Sequence, residues 1–207
     1  MSRVLGVTVA IDVDGVLCPF VDPLDALRHE RETGWKYSHL PRVKDGVTVA
    51  DPLVQTLSEL VVAGAEGQGG NEVRDQVPRR VFWHSSWWLS AAELLAPALG
   101  LSGMSGGVER MFATEAELLG KPSSITSARW WKLAAIERWL HEHSITSAGE
   151  HELLIWIDDD INDAIASGEI STELQNDPRL VMISPGIHIG INPEELALLR
   201  GLTGLAG

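Results

Sequence analysis

The stretch that most constrains this chain is VTVAIDVDGVLCPF, Val7–Phe20, in which an apolar run ends in two aspartates. The run has the composition of a buried strand, and Asp12 and Asp14 follow it directly. Buried strands do not normally end in a pair of negative charges, because unpaired carboxylates in one crevice repel each other and raise one another's pKa. The pair therefore requires a partner that the rest of the chain, or a bound cation, must supply.

Segments with the pattern of strands and of helices alternate along the sequence. Apolar runs predict five strands, at residues 4–12, 79–85, 109–114, 151–160 and 179–185. Residues 36–40 and 46–50 predict a small hairpin, and helical spacing predicts helices at 51–65, 90–101, 126–143 and 192–202. This alternation predicts an α/β protein, a single domain over residues 1–207, with a mainly parallel central sheet and helices on both faces.

Polar side chains follow three of the predicted strands at their carboxyl ends. Asp12 and Asp14 end the first strand, and Ser85 ends the second. Asp158 and Asp159 end the fourth. The carboxyl ends of parallel strands meet at one edge of the sheet, where ligands bind. Hard carboxylate oxygens in one crevice suit Mg²⁺, which also shares phosphate oxygens, whereas helix capping is the alternative explanation for either acidic cluster alone.

Four segments, in order, resemble the motifs of the haloacid dehalogenase (HAD) superfamily. IDVDGVL resembles the first motif, an apolar strand followed by D-x-D-G, and VFWHSSW resembles the second, an apolar strand ending in Thr or Ser. Lys132, near the start of a helix, resembles the third, and LLIWIDDD resembles the fourth. The resemblance implies a Rossmann-like HAD fold with a small flap and a minimal cap or none. WHSSW, WIDDD and the tail after residue 180 are similar to small HAD domains of bacteria, phages and RNA-repair proteins.

The same resemblance implies a phosphatase mechanism. Asp12 would be the nucleophile that forms an aspartyl-phosphate, and Asp14 would protonate the leaving oxygen and then activate water. Ser85 would hydrogen-bond the transferring phosphoryl group, and Lys132 would neutralise its charge and orient Asp12. Gly15 would let the chain turn away beside the substrate without a side chain in the crevice.

Mg²⁺ is the cofactor that the resemblance implies. Its ligands would be the carboxylates of Asp12 and Asp158 and the backbone carbonyl of Asp14. Asp159 would bind the metal directly or lie in its second coordination sphere. Asp160 is instead predicted to be an acid at a helix start.

Neighbouring residues compete for two of these roles. Ser86 replaces Ser85 if the strand ends one residue later, because successive side chains point to opposite faces. Lys121 is the alternative to Lys132, and its loop-like position beside Pro122 makes it the weaker candidate.

Other polar and aromatic residues near the motifs have simpler structural explanations. Trp87 and Trp88 are candidates to stack on a ring of the substrate, and packing against the next helix is the competing prediction. Asp163, like Asp160, is predicted to lie at a helix start, and His84 is predicted to be a packed strand residue.

The segment between the first two motifs is short for a large cap. A flap or small insertion is predicted at about residues 18–50, and a flexible loop at about residues 65–78. A site with little cap is open, which in HAD enzymes accompanies large substrates, such as nucleic-acid ends or proteins, or recruitment of a cap from another chain. The resemblance therefore implies a phosphorylated substrate, either a small molecule or a nucleic-acid end.

Composition narrows the protein class. The formal net charge of −13 disfavours strong non-specific nucleic-acid binding, which requires basic residues to neutralise phosphates. No apolar run is long enough for a membrane span, and the N-terminus has no separate signal-peptide core and cleavage site, which predicts a cytoplasmic protein without a membrane partner. The single cysteine, Cys18, excludes an internal disulfide.

The leading prediction is an Mg²⁺-dependent phosphomonoesterase that acts on nucleotides or nucleic-acid ends. A HAD-fold binding or regulatory protein with little turnover is the alternative from another class. Phosphotransfer or dehalogenation on the same fold is a third possibility, and Asp14 favours phosphoryl chemistry because it supplies the proton that the leaving group requires. The sequence does not reveal the oligomeric state.

Overall fold

A four-stranded parallel sheet organises the chain. The computed structural model describes residues 3–43, 46–66, 77–87, 90–101, 108–109, 111–119 and 130–205. The strands of the sheet are β1 (Val4–Ile11), β4 (Arg79–Trp83), β5 (His151–Ile157) and β6 (Leu180–Ile183), in the order β4-β1-β5-β6. A separate antiparallel pair is formed by β2 (Tyr37–Leu40) and β3 (Val47–Ala50).

Helices connect the strands. They are α1 (Pro23–Thr33), α2 (Asp51–Glu66), a π-helical segment (Ala91–Leu95) continued by α3 (Ala96–Ala98), α4 (Glu115–Leu119), α5 (Trp131–Glu142), α6 (Ile161–Ala166), α7 (Thr172–Gln175) and α8 (Pro193–Thr203). None of the helices in the described part of the chain combines the length and the apolar character needed to cross a bilayer.

The central strand β1 divides the core into two layers. Its residues Val7, Val9 and Ile11 lie in one apolar cluster, which contains the buried leucines of α2 and α8. Ala10 points the other way, into a second cluster that contains the apolar face of α5 and part of α6. This alternation follows from the two-residue period of a strand, and it confirms helices on both faces of a parallel sheet.

Most of the predicted segments are confirmed, including the hairpin of β2 and β3 and the final helix. Asn192 caps α8 with a complete capping box. Its side chain accepts the N–H of Glu195, and the Glu195 carboxylate accepts the N–H of Asn192. Residues 23–33, to which no helix is assigned above, form the 11-residue helix α1.

The strand predicted at residues 109–114 is wrong. Glu109 makes only an isolated bridge with Phe82, and Phe112 then donates its N–H to the carbonyl of Trp83. Phe112 and Ala113 are buried in the cluster under α5, so the segment leaves the sheet edge to bury its apolar side chains. The loop predicted at about 65–78 lies mostly outside the described residues.

Two helical glycines provide a test of this packing. A Cβ on Gly64, in α2, would lie 2.6 Å from the carbonyl oxygen of Arg79 in β4, whereas a Cβ on Gly201, in α8, would meet nothing within 4 Å. We expect Gly64→Ala to lower the free energy of unfolding by about 1–3 kcal/mol through overpacking. Gly201→Ala should raise it by about 0.5 kcal/mol through helix propensity. Urea denaturation of both variants measures the difference, and equal effects would contradict the packing of α2 on β4.

Candidate active site

Backbone hydrogen bonds align the carboxyl ends of β1, β4 and β5. The N–H of Asp12 donates to the carbonyl of Ile157 at 2.9 Å, which continues the ladder between β1 and β5 by one residue. On the other side of β1, the N–H of His84 donates to the carbonyl of Ile11 at 2.8 Å. These backbone bonds fix the first residues beyond β1, β4 and β5 relative to one another. The predicted convergence of side chains at this edge therefore rests on ladder geometry.

Lys132 joins the ends of two strands. It lies in the first turn of α5, and its Nζ is 2.5 Å from Asp12 Oδ2 and 2.7 Å from Asp158 Oδ2. Lys132 and Asp12 are each 5% exposed, and Asp158 is fully buried. Pairs of this kind are retained in a protein interior only when each charge has its partners, since an uncompensated buried charge is costly.

Three carboxylates gather around this lysine and form what we call the acidic cluster, Asp12, Asp158 and Asp159. One oxygen from each lies within 4.8 Å of the others. With one ammonium group among three carboxylates, the cluster carries two negative charges in excess when all are ionised. Hard oxygen donors at this spacing can close around a divalent cation such as Mg²⁺ or Mn²⁺, so the donor set fits a metal ion.

The pKa values in the cluster reflect burial and charge. Burial raises the pKa of Asp158 to about 7, with the positive charge of Lys132 opposing the rise and the charge of Asp12 adding to it. Burial, together with the charges of Asp12 and Asp160, raises the pKa of Asp159 to about 6. For Lys132, burial alone would lower the pKa, but Asp158 and Asp12 outweigh burial and raise the pKa. Lys132 is thus held in its charged form, and Asp158 and Asp159 retain protons more strongly than isolated carboxylates do.

A tight turn follows Asp12. Gly15 has φ +70°, donates its N–H to the carbonyl of Cys18 at 3.1 Å, and lies against Asp159, so that a Cβ there would collide with the Asp159 carboxylate. Both the left-handed backbone and the close approach require glycine. Asp14 is half-buried in this turn and pairs with Cys18 in an isolated bridge. Its carboxylate is not one of the three that form the acidic cluster.

The serines after β4 differ in burial. Ser85 is fully buried and its Oγ accepts the N–H of Trp87 at 3.3 Å, whereas Ser86 is exposed. Trp87 is 6% exposed and belongs to the apolar cluster beneath the sheet. Trp87 therefore packs in the core, which favours the packing prediction for this residue over stacking on a substrate ring. Trp88 and Lys121 lie outside the described residues.

The acids beyond Asp159 lie at a helix start, as the sequence predicts. Asp160 directly precedes α6, and its N–H donates to Asp158 Oδ1 at 3.1 Å, while Asp163 is in the first turn. Asp160 thus helps to hold Asp158, and burial raises its own pKa.

Sequence reasoning missed three residues that support the cluster. Trp156 donates its indole N–H to Asp158 Oδ2 at 3.3 Å, and the ring of Trp130 lies 5.5 Å from Lys132 Nζ, a cation–π distance. Ser184 Oγ donates to the carbonyl of Asp159 at 3.3 Å. Only Trp156 carried a usable signal, because it stands two residues before Asp158 and the strand period places both side chains on one face.

A cavity of about 560 Å³ lies between α1 and the loop that follows β6. Phe20 lines one wall and His188 and Ile189 line another, with Tyr37 between them. The walls are tied together, because Phe20 donates its N–H to the carbonyl of Ile187 and the Tyr37 hydroxyl donates to that of Ile189. Both walls continue segments that leave the carboxyl edge of the sheet.

No protein-family model, curated protein or solved structure matches this chain. The described residues define an α/β protein with a parallel sheet and a lysine-bridged acidic cluster at the carboxyl edge of that sheet. What the cluster does must be inferred from its own chemistry.

Removal of the lysine tests whether it compensates the buried carboxylates. We expect Lys132→Met to lower the free energy of unfolding by about 3 kcal/mol in the presence of a chelator at neutral pH, because Asp12 and Asp158 are left without a counter-charge. The double variant Lys132→Met/Asp158→Asn should lose less than the single variant. Denaturant titration of these two variants and of Asp158→Asn measures the effects. A double variant whose loss equals the sum of the losses in the two single variants would contradict the ion pair.

The raised pKa of Asp159 predicts a pH dependence of stability. The folded protein keeps a proton that the unfolded chain releases, so this group stabilises the fold at low pH and the contribution is lost as pH rises through about 6. Between pH 4.5 and 7.5, the free energy of unfolding of the metal-free wild type should fall by about 1 kcal/mol relative to that of Asp159→Asn, after allowance for solvent screening. Denaturation at both pH values checks this, with Asp163→Asn as the control. A difference that is constant with pH would refute it.

Proposed function

We propose that this chain is an Mg²⁺-dependent phosphohydrolase of the HAD type, which cleaves phosphomonoesters through an aspartyl-phosphate on Asp12. The observation that carries the proposal is the position of Asp12 at the end of the central strand, bridged through Lys132 to Asp158 and within 4.8 Å of Asp159. Phosphoryl transfer demands positioned charges more than covalent machinery, and this site concentrates positioned charges.

The orientation of Asp12 supports its role as the nucleophile. One carboxylate oxygen accepts from Lys132 Nζ at 2.5 Å, and the other accepts the N–H of Val13 at 2.6 Å, so the group is held in one orientation. In the first step an Asp12 oxygen bonds to phosphorus as the bond to the leaving oxygen breaks, and Asp14 gives that oxygen its proton. In the second step Asp14 takes a proton from water, which attacks phosphorus and releases inorganic phosphate and Asp12.

The metal ion would be held by the carboxylates of Asp12 and Asp158 and by the carbonyl of Asp14. Asp159 would bind it directly or lie in its second coordination sphere. When bound, it would neutralise phosphate charge and bring the phosphoryl group to Asp12. Ser85 would donate its hydroxyl hydrogen to a phosphoryl oxygen while its Oγ still accepts from Trp87. Lys132 is already ionised and directed at Asp12, so it would oppose the charge of the transferring group.

The cavity beside α1 is where we place the leaving group. Its volume of about 560 Å³ suits a small ligand, and Phe20, which is 57% exposed, offers an apolar surface there. A nucleotide or the terminal nucleotide of a nucleic acid fits this description, in line with an open site under a small flap. The net charge of −13 restricts such binding to the local site and excludes extended electrostatic contact. We place the enzyme in the cytoplasm.

A binding or regulatory protein with little turnover is the second candidate. The complete burial of Ser85 and Asp158 favours it, because groups without exposed surface are less accessible to a substrate. The two candidates differ in turnover, so one assay separates them.

Hydrolysis of p-nitrophenyl phosphate tests the function. We expect wild-type turnover that is lost on chelation and restored by Mg²⁺, and a loss of at least about 10³-fold in Asp12→Asn because the nucleophile is removed. Glu173→Gln, at an exposed acid on α7, is the control for expression and folding. A wild type that is inactive with every divalent metal, or an Asp12→Asn variant with full activity, would eliminate the proposal. Mononucleotides compared with 3′- and 5′-phosphorylated oligonucleotides then distinguish the substrate classes.

A further inference from the structure

A buried histidine lies next to the acidic cluster and has no role in the proposed reaction. His84 directly follows β4, is fully buried, and has its backbone tied to Ile11, the residue before Asp12. Its ring Nε2 lies 3.1 Å from the carbonyl oxygen of Lys132. Because a carbonyl only accepts, Nε2 carries the hydrogen, and the ring donates to the first turn of α5.

The ring is fixed in place by aromatic neighbours. Phe112, Trp131 and Trp156 surround it edge-on, with ring centroids 5.2, 5.2 and 6.0 Å away. Burial, reinforced by the positive charges of Lys132 and Arg138, lowers the pKa of His84 well below its ordinary value, so the ring is neutral. The contact with Lys132 is therefore a neutral hydrogen bond and does not depend on a change of charge.

Packing alone does not explain a histidine at this position. With the hydrogen on Nε2, the other ring nitrogen, Nδ1, is a buried acceptor with no partner in the described part of the chain. An apolar ring or a leucine would occupy the same aromatic surroundings without that unpaired group. The ring nitrogen that does have a partner is Nε2, which donates to the carbonyl of Lys132.

The start of α5 needs such an anchor. Its N-cap residue is Trp130, whose side chain makes no capping hydrogen bond, so the first turn is not fixed by its N-cap side chain. Lys132 lies in that turn and has a long flexible side chain, so the position of its Nζ between Asp12 and Asp158 depends on where the turn is held. The hydrogen bond from His84 ties the turn to the end of β4, which is itself tied to β1.

We propose that His84 is a positioning residue that sets the Lys132 ammonium between Asp12 and Asp158 by holding the first turn of α5. The effect on turnover rests on the proposed phosphohydrolase function, but the effect on Lys132 does not. Two measurements therefore keep the two ideas separate.

The chain offers a matched control. His151 is also a buried histidine whose Nδ1 has no hydrogen-bond partner among the described residues, but it begins β5, at the opposite end of that strand from Asp158. The variants are His84→Leu and His84→Phe, which cannot donate; His84→Gln, whose amide can; and His151→Leu. His84→Phe keeps a ring of similar size, so the test survives if His84→Leu folds poorly.

The first measurement is the rate at which Lys132 is acetylated by a soluble acylating reagent, followed by mass spectrometry of the folded protein. We expect slow modification in the wild type, His84→Gln and His151→Leu, and modification several-fold faster in His84→Leu and His84→Phe, because the ammonium leaves its carboxylate partners more often. Wild-type protection in both apolar variants would overturn the proposal whether or not the protein is a phosphatase.

The second measurement is p-nitrophenyl phosphate turnover with saturating Mg²⁺. We expect kcat to fall about 10- to 100-fold in His84→Leu and His84→Phe, with KM changed by less than about 3-fold, and to recover largely in His84→Gln. His151→Leu should keep wild-type kinetics. Failure of His84→Gln to restore kcat, or loss of kcat while Lys132 stays protected, would also overturn the positioning role. An inactive wild type would count against the function alone.

Discussion

The buried contact of Lys132 with Asp12 and Asp158 is the interaction on which the rest of the structure depends. The three residues come from α5, from the end of β1 and from the end of β5. Each charge would be costly in the interior without the others, so the contact favours the register in which the helix and the two strands bring the three groups together. The site is consequently part of the core that positions it.

The lysine does not neutralise the whole cluster. Asp159 adds a third carboxylate, and burial, with the charge of Asp12 adding to it, raises the pKa values of Asp158 and Asp159, so both groups favour protons. A divalent cation would replace those protons at neutral pH and supply the same compensation. Under the proposed function, the electrostatic imbalance that weakens the metal-free fold is what gives the site its affinity for the metal and, through it, for phosphate.

The parts of the site that the sequence predicts are those fixed by topology. Asp12 and Asp158 could be placed because parallel strands end at one edge of the sheet, whereas Lys132 is placed by its resemblance to a HAD motif. The loss of the strand at 109–114 could not be predicted, because it depends on which face of the sheet accommodates large apolar side chains. Periodicity identifies an apolar segment, but it does not show where that segment packs.

Three of the eight tryptophans in the chain lie around the acidic cluster and the residues that support it. Trp156 donates to Asp158, Trp130 lies over the Lys132 ammonium, and Trp131 contacts the ring of His84 edge-on. Indole combines a large apolar surface with a single donor, so it can exclude water from a buried charge and also bind a carboxylate. Water excluded from the cluster strengthens every charge interaction within it. The aromatic layer under α5 therefore determines the electrostatics of the acidic cluster, and substitutions there should be judged as changes to the site.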